Sequence, residues 1–351
     1  MTIGNQLFAA EYLEGVELPG GWVVQNRISP GATGGSFGVP YIVKNSTSQE
    51  PKTAFLKALN LRNLDYEVDF ARALQRHITA FNFERDILTI CKDKKLRRIA
   101  RLIDAGQHRL PSCQFPICYI IFEIADHGDV RTHLSKVVDL DLTWRLTTLH
   151  QICVAMQQLH VNGIAHQDVK PSNILIFKEF GAKIGDMGCA DARKMLDPSP
   201  RGDKSIAGDP TYAPPELMYN EVSSDWHIRR LGCDLYLIAS IIVYLFTEGG
   251  SLTALWRKRL SFGHQPMSWP FEYRGVLPHV RAAYNQAIEE FSLSVPESIR
   301  SDIVEIVQHL SDPDPLERGH PHDRRGNRFN LERFISKLDL LAKKSEYRLL
   351  A

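Results

Sequence analysis

The segment His166-Gln167-Asp168-Val169-Lys170-Pro171-Ser172-Asn173 constrains this chain more than any other, because it gathers reactive side chains in a loop that runs straight into the apolar Ile174-Leu175-Ile176-Phe177. Asp168 is an acid able to take a proton, Lys170 lies two residues on, and Asn173 closes the loop. Four apolar residues bounded by polar ones read as a short buried strand. Such a loop needs partners, and the rest of the chain can be searched for them.

Upstream, Trp22-Val23-Val24 opens a strand that ends near Ile28, and residues 29–38 (SPGATGGSFG) are small and glycine-rich. Residues 39–43 and 53–57 read as further strands around a polar turn, which makes an antiparallel meander. A helix follows, with Phe70, Leu74, Ile78, Phe81 and Leu88 at helical spacing. Glu84 falls on that same face. A buried carboxylate needs a partner, whereas one at the rim of the face is simply solvated, and spacing alone leaves both readings open. Residues 101–104 and 118–124 read as two more strands. Asp126-His127-Gly128-Asp129 then breaks the pattern and marks a boundary between two lobes.

Beyond the boundary the chain turns helical. Leu149, Ile152, Cys153, Met156 and Leu159 form an amphipathic stripe leading into the 166–173 loop. Short strands at 174–177 and 182–184 precede Asp186-Met187-Gly188, and a polar loop leads to Ala213-Pro214-Pro215-Glu216. The apolar run 235–246 is shorter than the roughly 20 residues of a membrane span and reads as a buried core helix.

In this order, and on these elements, the motifs resemble those of the eukaryotic-type (Hanks-type) serine/threonine protein kinases over about residues 20–320. The resemblance implies an α+β, bilobal fold, with a small β-rich N-lobe carrying one key helix and a larger, mainly helical C-lobe. It implies the N-lobe at 20–125 and the C-lobe at 126–328, while the residues themselves read as a leader or a short extra element at 1–19 and a C-terminal helix at 329–351. HQDVKPSN resembles the catalytic loop HRDxxxxN. Asp168 would then accept or orient the proton of a substrate hydroxyl, and Lys170 is the lysine of serine/threonine-specific members. Asn173 and Asp186, the latter in a DMG that resembles DFG, would ligate magnesium, with manganese as a substitute. Ala54-Phe55-Leu56-Lys57 resembles the VAIK strand, so Lys57 would contact the α- and β-phosphates of ATP and supply Glu84 with its cation.

The glycine loop is the least regular match. Aligned on Gly38-Val39, it sets Gly35 at the middle glycine of GxGxxGxV, Gly34 beside it and Thr33 at the first, with Pro40 unusual inside a strand. The resemblance makes Phe122 the gatekeeper and assigns the adenine edge to the carbonyl of Glu123 and the backbone of Ala125. Asp129 either reaches the ribose or caps the next helix. Glu216, in PPE for APE, would pair with Arg318, and Asp234 would steady the catalytic loop.

Three departures stand out. Gln167 replaces the arginine of HRD, which in the family binds a phosphate on the activation segment. Glutamine cannot pair with phosphate as a charged fork does, so activity is expected not to require phosphorylation at Ser199, Ser205 or Thr211. Asp209 stands where threonine is usual and is a candidate partner for Lys170. Ala239 replaces a common glycine.

The implied partners are ATP and a protein substrate offering a serine or threonine hydroxyl. A net charge of +1 gives no field favouring nucleic acid or an acidic membrane. Six scattered cysteines, without a CxxC pair, read as reduced thiols rather than disulfides or a zinc site, and no signal peptide is evident, so a cytoplasmic protein is expected; only the phrasing of the motifs suggests a bacterial member. His320 and His322, in the basic stretch 318–328, read as a solvated loop, with metal binding as the alternative. Residues 330–350 read as an amphipathic helix packed through Leu331, Phe334, Ile335, Leu338 and Leu341, or serving docking or a dimer contact, and no oligomeric state follows from the sequence. Two other functions stay open: a pseudokinase scaffold that binds ATP, and a small-molecule phosphotransferase. The first normally lacks the equivalents of Lys57, Asp168 or Asp186, and the second the PPE segment with its late arginine.

Overall fold

The computed structural model describes residues 7–28, 38–45, 47, 52–111, 113, 115–137, 140–193, 206–247 and 249–347. The chain divides into two compact units, Met1–Asp126 and His127–Ala351.

The first unit is one antiparallel sheet with a long helix. Its strands are β1 (Glu17–Leu18), β2 (Trp22–Arg27), β3 (Gly38–Asn45), β4 (Lys52–Leu59), β5 (Leu102–His108) and β6 (Ile117–Glu123), in spatial order β1-β2-β3-β4-β6-β5. Alternation sorts the side chains. Tyr41 and Val43 of β3 and Ala54, Leu56 and Ala58 of β4 are fully buried, on one face of the sheet. Pro40 is accommodated in β3 beside a register shift in β2, between Val24 and Arg27, where a missing donor costs least. The segment before β1 packs into this core rather than trailing from it: Ala9, Ala10 and Leu13 are buried, and the Tyr41 hydroxyl donates to the Ala10 carbonyl at 2.8 Å.

Helix α1 (Phe70–Asp93) is capped by Asp69, whose side chain accepts from the Arg72 N–H at 3.0 Å. Its buried face differs from the predicted stripe. Phe81 and Leu88 are buried, but Phe70 and Ile78 are 40% and 42% exposed. The buried set is Ala73, Phe81, Phe83, Glu84, Ile87, Leu88 and Cys91. At about 100° per residue, Glu84 falls near the centre of that face and Ile78 beyond its edge. The rim reading of Glu84 is thereby excluded.

The second unit is mainly helical. It contains α2 (Val130–Leu134), α3 (Leu142–His160), α4 (Pro215–Met218), α5 (Gly232–Phe246), α6 (Leu252–Arg257), α7 (Tyr273–Leu293), α8 (Glu297–Ser311) and α9 (Glu332–Glu346). Two small ribbons accompany them: β7 (Ile164–Ala165) with β10 (Asp191–Ala192), and β8 (Ile174–Phe177) with β9 (Gly181–Ile184). Every residue of α5 is buried, which makes it the axis of the unit's core. Helix α9 packs on α3 through Phe334, Leu338 and Leu341. Among the described residues no helix is long and apolar enough to cross a membrane.

Candidate active site

In the first unit the β3–β4 register sets Gly38 opposite Leu59, and the Lys57 side chain passes over Gly38. A Cβ at position 38 would run into the lysine stem, so the site requires glycine there. Lys57 Nζ lies 2.9 and 3.0 Å from the two carboxylate oxygens of Glu84. Both groups are largely out of water, with side-chain exposures of 20% and 6%. The lysine is thus the partner that the buried carboxylate needs. Phe122 is buried and meets Phe55 across β4 and β6, with ring centroids 6.2 Å apart. The Glu123 carboxylate is turned to the sheet edge, where it accepts from the Arg101 N–H at 2.8 Å. Ala125 follows the end of β6. Gly34 and Gly35 lie outside the described residues.

In the second unit, the loop His166–Asn173 is a closed hydrogen-bonded structure. Asp168 Oδ1 accepts from the Asp209 N–H at 2.9 Å, while Oδ2 meets Lys170 Nζ at 2.9 Å and accepts from Asn173 Nδ2 at 3.1 Å. Asn173 Nδ2 also donates to the Asp168 carbonyl at 2.8 Å. Burial lowers the Lys170 pKa, but Asp168, Asp209 and Asp186 more than reverse it, so the ammonium is held above its ordinary value. The His166 ring accepts from the Asp168 N–H through Nδ1, which makes Nε2 the donor to the Gly185 carbonyl, at 3.0 Å. This ties the catalytic loop to the Asp186 turn.

The β8–β9 pairing brings the metal candidates together. Ile174 pairs with Ile184, and Gly185 N–H donates to the Asn173 carbonyl at 2.8 Å, so Asn173 and Asp186 flank one end of the ribbon. Asp186 sits at φ 58°, a left-handed conformation uncommon outside glycine, and its carboxylate accepts from the Gly188 N–H at 3.3 Å. The Asn173 amide nitrogen faces Asp168, so its oxygen faces away from it. One amide oxygen and one carboxylate form a hard-oxygen set that fits magnesium, which takes one or two protein carboxylates and completes its shell with phosphates and water. His320 and His322 stack at 5.3 Å, and among the described residues they belong to no group of three metal-ligating side chains.

The Asp209 carboxylate accepts from the Thr211 N–H at 2.9 Å and acts on Lys170 only through space, so the direct pair suggested by the sequence does not form. Lys170 is taken instead by Asp168. Gly208 packs against the loop so closely that a Cβ there would come within 2.5 Å of Asp168 Oδ1 and the Gln167 carbonyl. Asp129 is the cap of α2, accepting from the Thr132 N–H at 2.7 Å. Arg318 and Glu216 form a bidentate pair at 2.7 and 2.5 Å, and both are buried.

The buried Asp234 accepts from the N–H groups of His166 and Gln167, each at 2.8 Å. Sequence reasoning missed three groups around it. His160 Nε2 lies 2.9 Å from Asp234 Oδ2, Arg230 touches Gln167, and Asp191 lies beside Arg230. The available signal was two arginines, Arg229-Arg230, at the mouth of an apolar helix.

A family model described as "Protein kinase domain" matches residues 34–323. The chain belongs to the protein kinase family. The kinase's fold is accordingly bilobal, with a sheet-and-helix N-terminal part and a helical C-terminal part. It is 31% identical over 164 residues to the serine/threonine-protein kinase CHK1 of Saccharomyces cerevisiae, across 46% of this chain and 29% of that protein. It is 32% identical over 129 residues to the LysM domain receptor-like kinase 10 of Oryza sativa subsp. japonica, across 35% of this chain and 21% of that one. Against the serine/threonine-protein kinase Nek1 of Mus musculus the identity is 28% over 187 residues, across 49% of this chain and 15% of the relative. The chain therefore spans less than a third of the length of each of these relatives.

Proposed function

We propose that this kinase transfers the γ-phosphoryl group of ATP to serine or threonine hydroxyls of protein substrates. The observation that carries the reading is Asp168 held by Lys170, Asn173 and the Asp209 N–H, a carboxylate oriented by three donors where a substrate hydroxyl is expected. Asp168 takes up or orients the hydroxyl proton. Lys170, kept protonated by its acidic neighbours, offsets charge beside the transferring group. Lys57, aligned by Glu84, neutralises the α- and β-phosphates. Asn173 and Asp186 would hold magnesium, which would supply positive charge to offset that of the phosphate oxygens. Catalysis on this account is mostly positioning and charge stabilisation.

We further propose that activity does not depend on phosphate in the activation segment. Gln167 is neutral and its side-chain amide is spent on Asp234 and the Arg230 carbonyl, so it offers no charged fork for a phosphate. A cytoplasmic setting, with ATP and magnesium at hand, suits this reading.

The direct test is purified protein incubated with labelled ATP, magnesium and a generic serine/threonine substrate, followed by phosphoamino-acid analysis. Phosphoserine or phosphothreonine is expected. Phosphotyrosine alone would remove the specificity assignment, and ATP binding without transfer would favour the pseudokinase scaffold.

A further inference from the structure

Arg230 is 2% exposed and lies in the π-helical turn His227–Leu231 that leads into α5. The phosphotransfer scheme gives it no task. A guanidinium so deeply buried must have fixed partners, because an unpaired buried charge is costly. Its Nε lies 2.8 Å from Asp191 Oδ2, in charge contact rather than along an aligned hydrogen bond. The other oxygen of Asp191 accepts from the Trp226 indole N–H at 3.1 Å. Arg230 Nη1 donates to Gln167 Oε1 at 3.3 Å, and Gln167 Nε2 answers by donating to the Arg230 carbonyl at 2.8 Å.

Two further facts tie this cluster to the catalytic loop. Gln167 is held at φ 66°, a strained conformation for a non-glycine residue that persists only where surroundings enforce it. Asp191 is also joined to the loop through the backbone, because β10 pairs it with Ala165, the residue before His166. The stretch after the Asp186 turn and the catalytic loop are therefore linked twice, once by strand pairing and once through Arg230.

We infer that Arg230 is a positioning residue for the catalytic loop, with Asp191 as its permanent counter-charge. The neutral Gln167 supplies shape and hydrogen bonds, and the cation comes from the helix mouth instead. The carboxylate belongs to the chain itself, so the clamp is closed without any added group. The catalytic consequence rests on the kinase reading proposed above; the clamp itself does not.

The test uses the full chain with Arg230→Gln, Asp191→Asn, Gln167→Arg and the double variant Gln167→Arg/Arg230→Gln. Two quantities are read: amide hydrogen exchange of the peptide 164–170, and kcat with KM for ATP. Arg230→Gln and Asp191→Asn should each speed loop exchange and lower kcat by about tenfold or more, with KM for ATP changed less than about threefold. The double variant should return both quantities to within about threefold of wild type, because one cation again stands between Asp191 and the loop. If Arg230→Gln does not fold, the near-isosteric Asp191→Asn carries the test. Loop exchange and kcat within about twofold of wild type in Asp191→Asn, or a double variant no better than the worse single, would overturn the inference. A wild-type protein that transfers no phosphate would defeat the kinase reading alone, and the exchange measurements would still judge the clamp.

Discussion

Asp234 Oδ1 accepts two hydrogen bonds from one residue, the backbone N–H of Gln167 at 2.8 Å and its side-chain amide at 3.0 Å. The same carboxylate accepts from the His166 N–H and lies 2.9 Å from His160 Nε2. One buried acid on α5 thus dictates the backbone path immediately before Asp168. Gln167→Met keeps the size of the side chain but removes its amide, which takes a donor from the Arg230 carbonyl and Asp234 and an acceptor from the Arg230 guanidinium. The loss is expected to be about 1–3 kcal/mol, seen as a Tm lowered by about 5 °C. An unchanged Tm would mean that the side chain does not help hold the loop.

The pair Arg318–Glu216 joins residues far apart in sequence inside the helical unit. Arg318→Met leaves a buried carboxylate without its cation, and a loss of about 3–5 kcal/mol is expected. The double variant Glu216→Leu/Arg318→Met should recover most of it, since no buried charge then remains. Denaturant unfolding of the two variants checks both statements.

The alanine triple variant at Ser199, Ser205 and Thr211 should keep more than about a tenth of wild-type rate, a barrier change below ~1.4 kcal/mol. Ser199 and Ser205 lie outside the described residues. A larger loss would show that a hydroxyl or phosphate in this segment is needed, contrary to the reading of Gln167.

Burial pushes the thiols of Cys91 and Cys153 up to about 12. Their folded pKa values lie above the unfolded value of about 8.5. Their contribution to stability is therefore fully present below that value and is lost as pH rises from there towards 12. Native protein at pH 8 should resist iodoacetamide at both positions, because the thiolate is the reacting form. Mass spectrometry of labelled peptides checks this, and rapid native labelling at Cys153 would contradict the packing described for α3.

The constellation was legible where chemistry and local pattern coincide. Asp168, Lys170, Asn173 and Asp186 announce themselves by spacing around two short apolar runs. The Lys57–Glu84 pair was half legible, because a carboxylate on an apolar face asks for a cation but periodicity does not say how deep it lies. The α1 stripe was misjudged at its N-terminal end: Ile78 falls beyond the edge of the buried face, and Phe70, in line with Leu88, stays exposed as the first residue of the helix. Arg229-Arg230 at the mouth of an apolar helix was a faint signal, but the pairing of Arg230 with Asp191 was not legible. Their relation depends on a tertiary approach between residues 39 positions apart in the chain, and neither stands in a patterned stretch. The backbone donation from Asp209 to Asp168 was hidden for a similar reason, since it depends on the absence of a Cβ at Gly208.

In the proposed reaction Asp168 orients the attacking hydroxyl, a role that the variant Asp168→Asn probes. The variant keeps the shape of the side chain while removing its charge. Phosphate transfer from labelled ATP to a serine/threonine substrate should fall by about 10²-fold or more, with ATP binding retained. Equal transfer by wild type and Asp168→Asn would contradict the account.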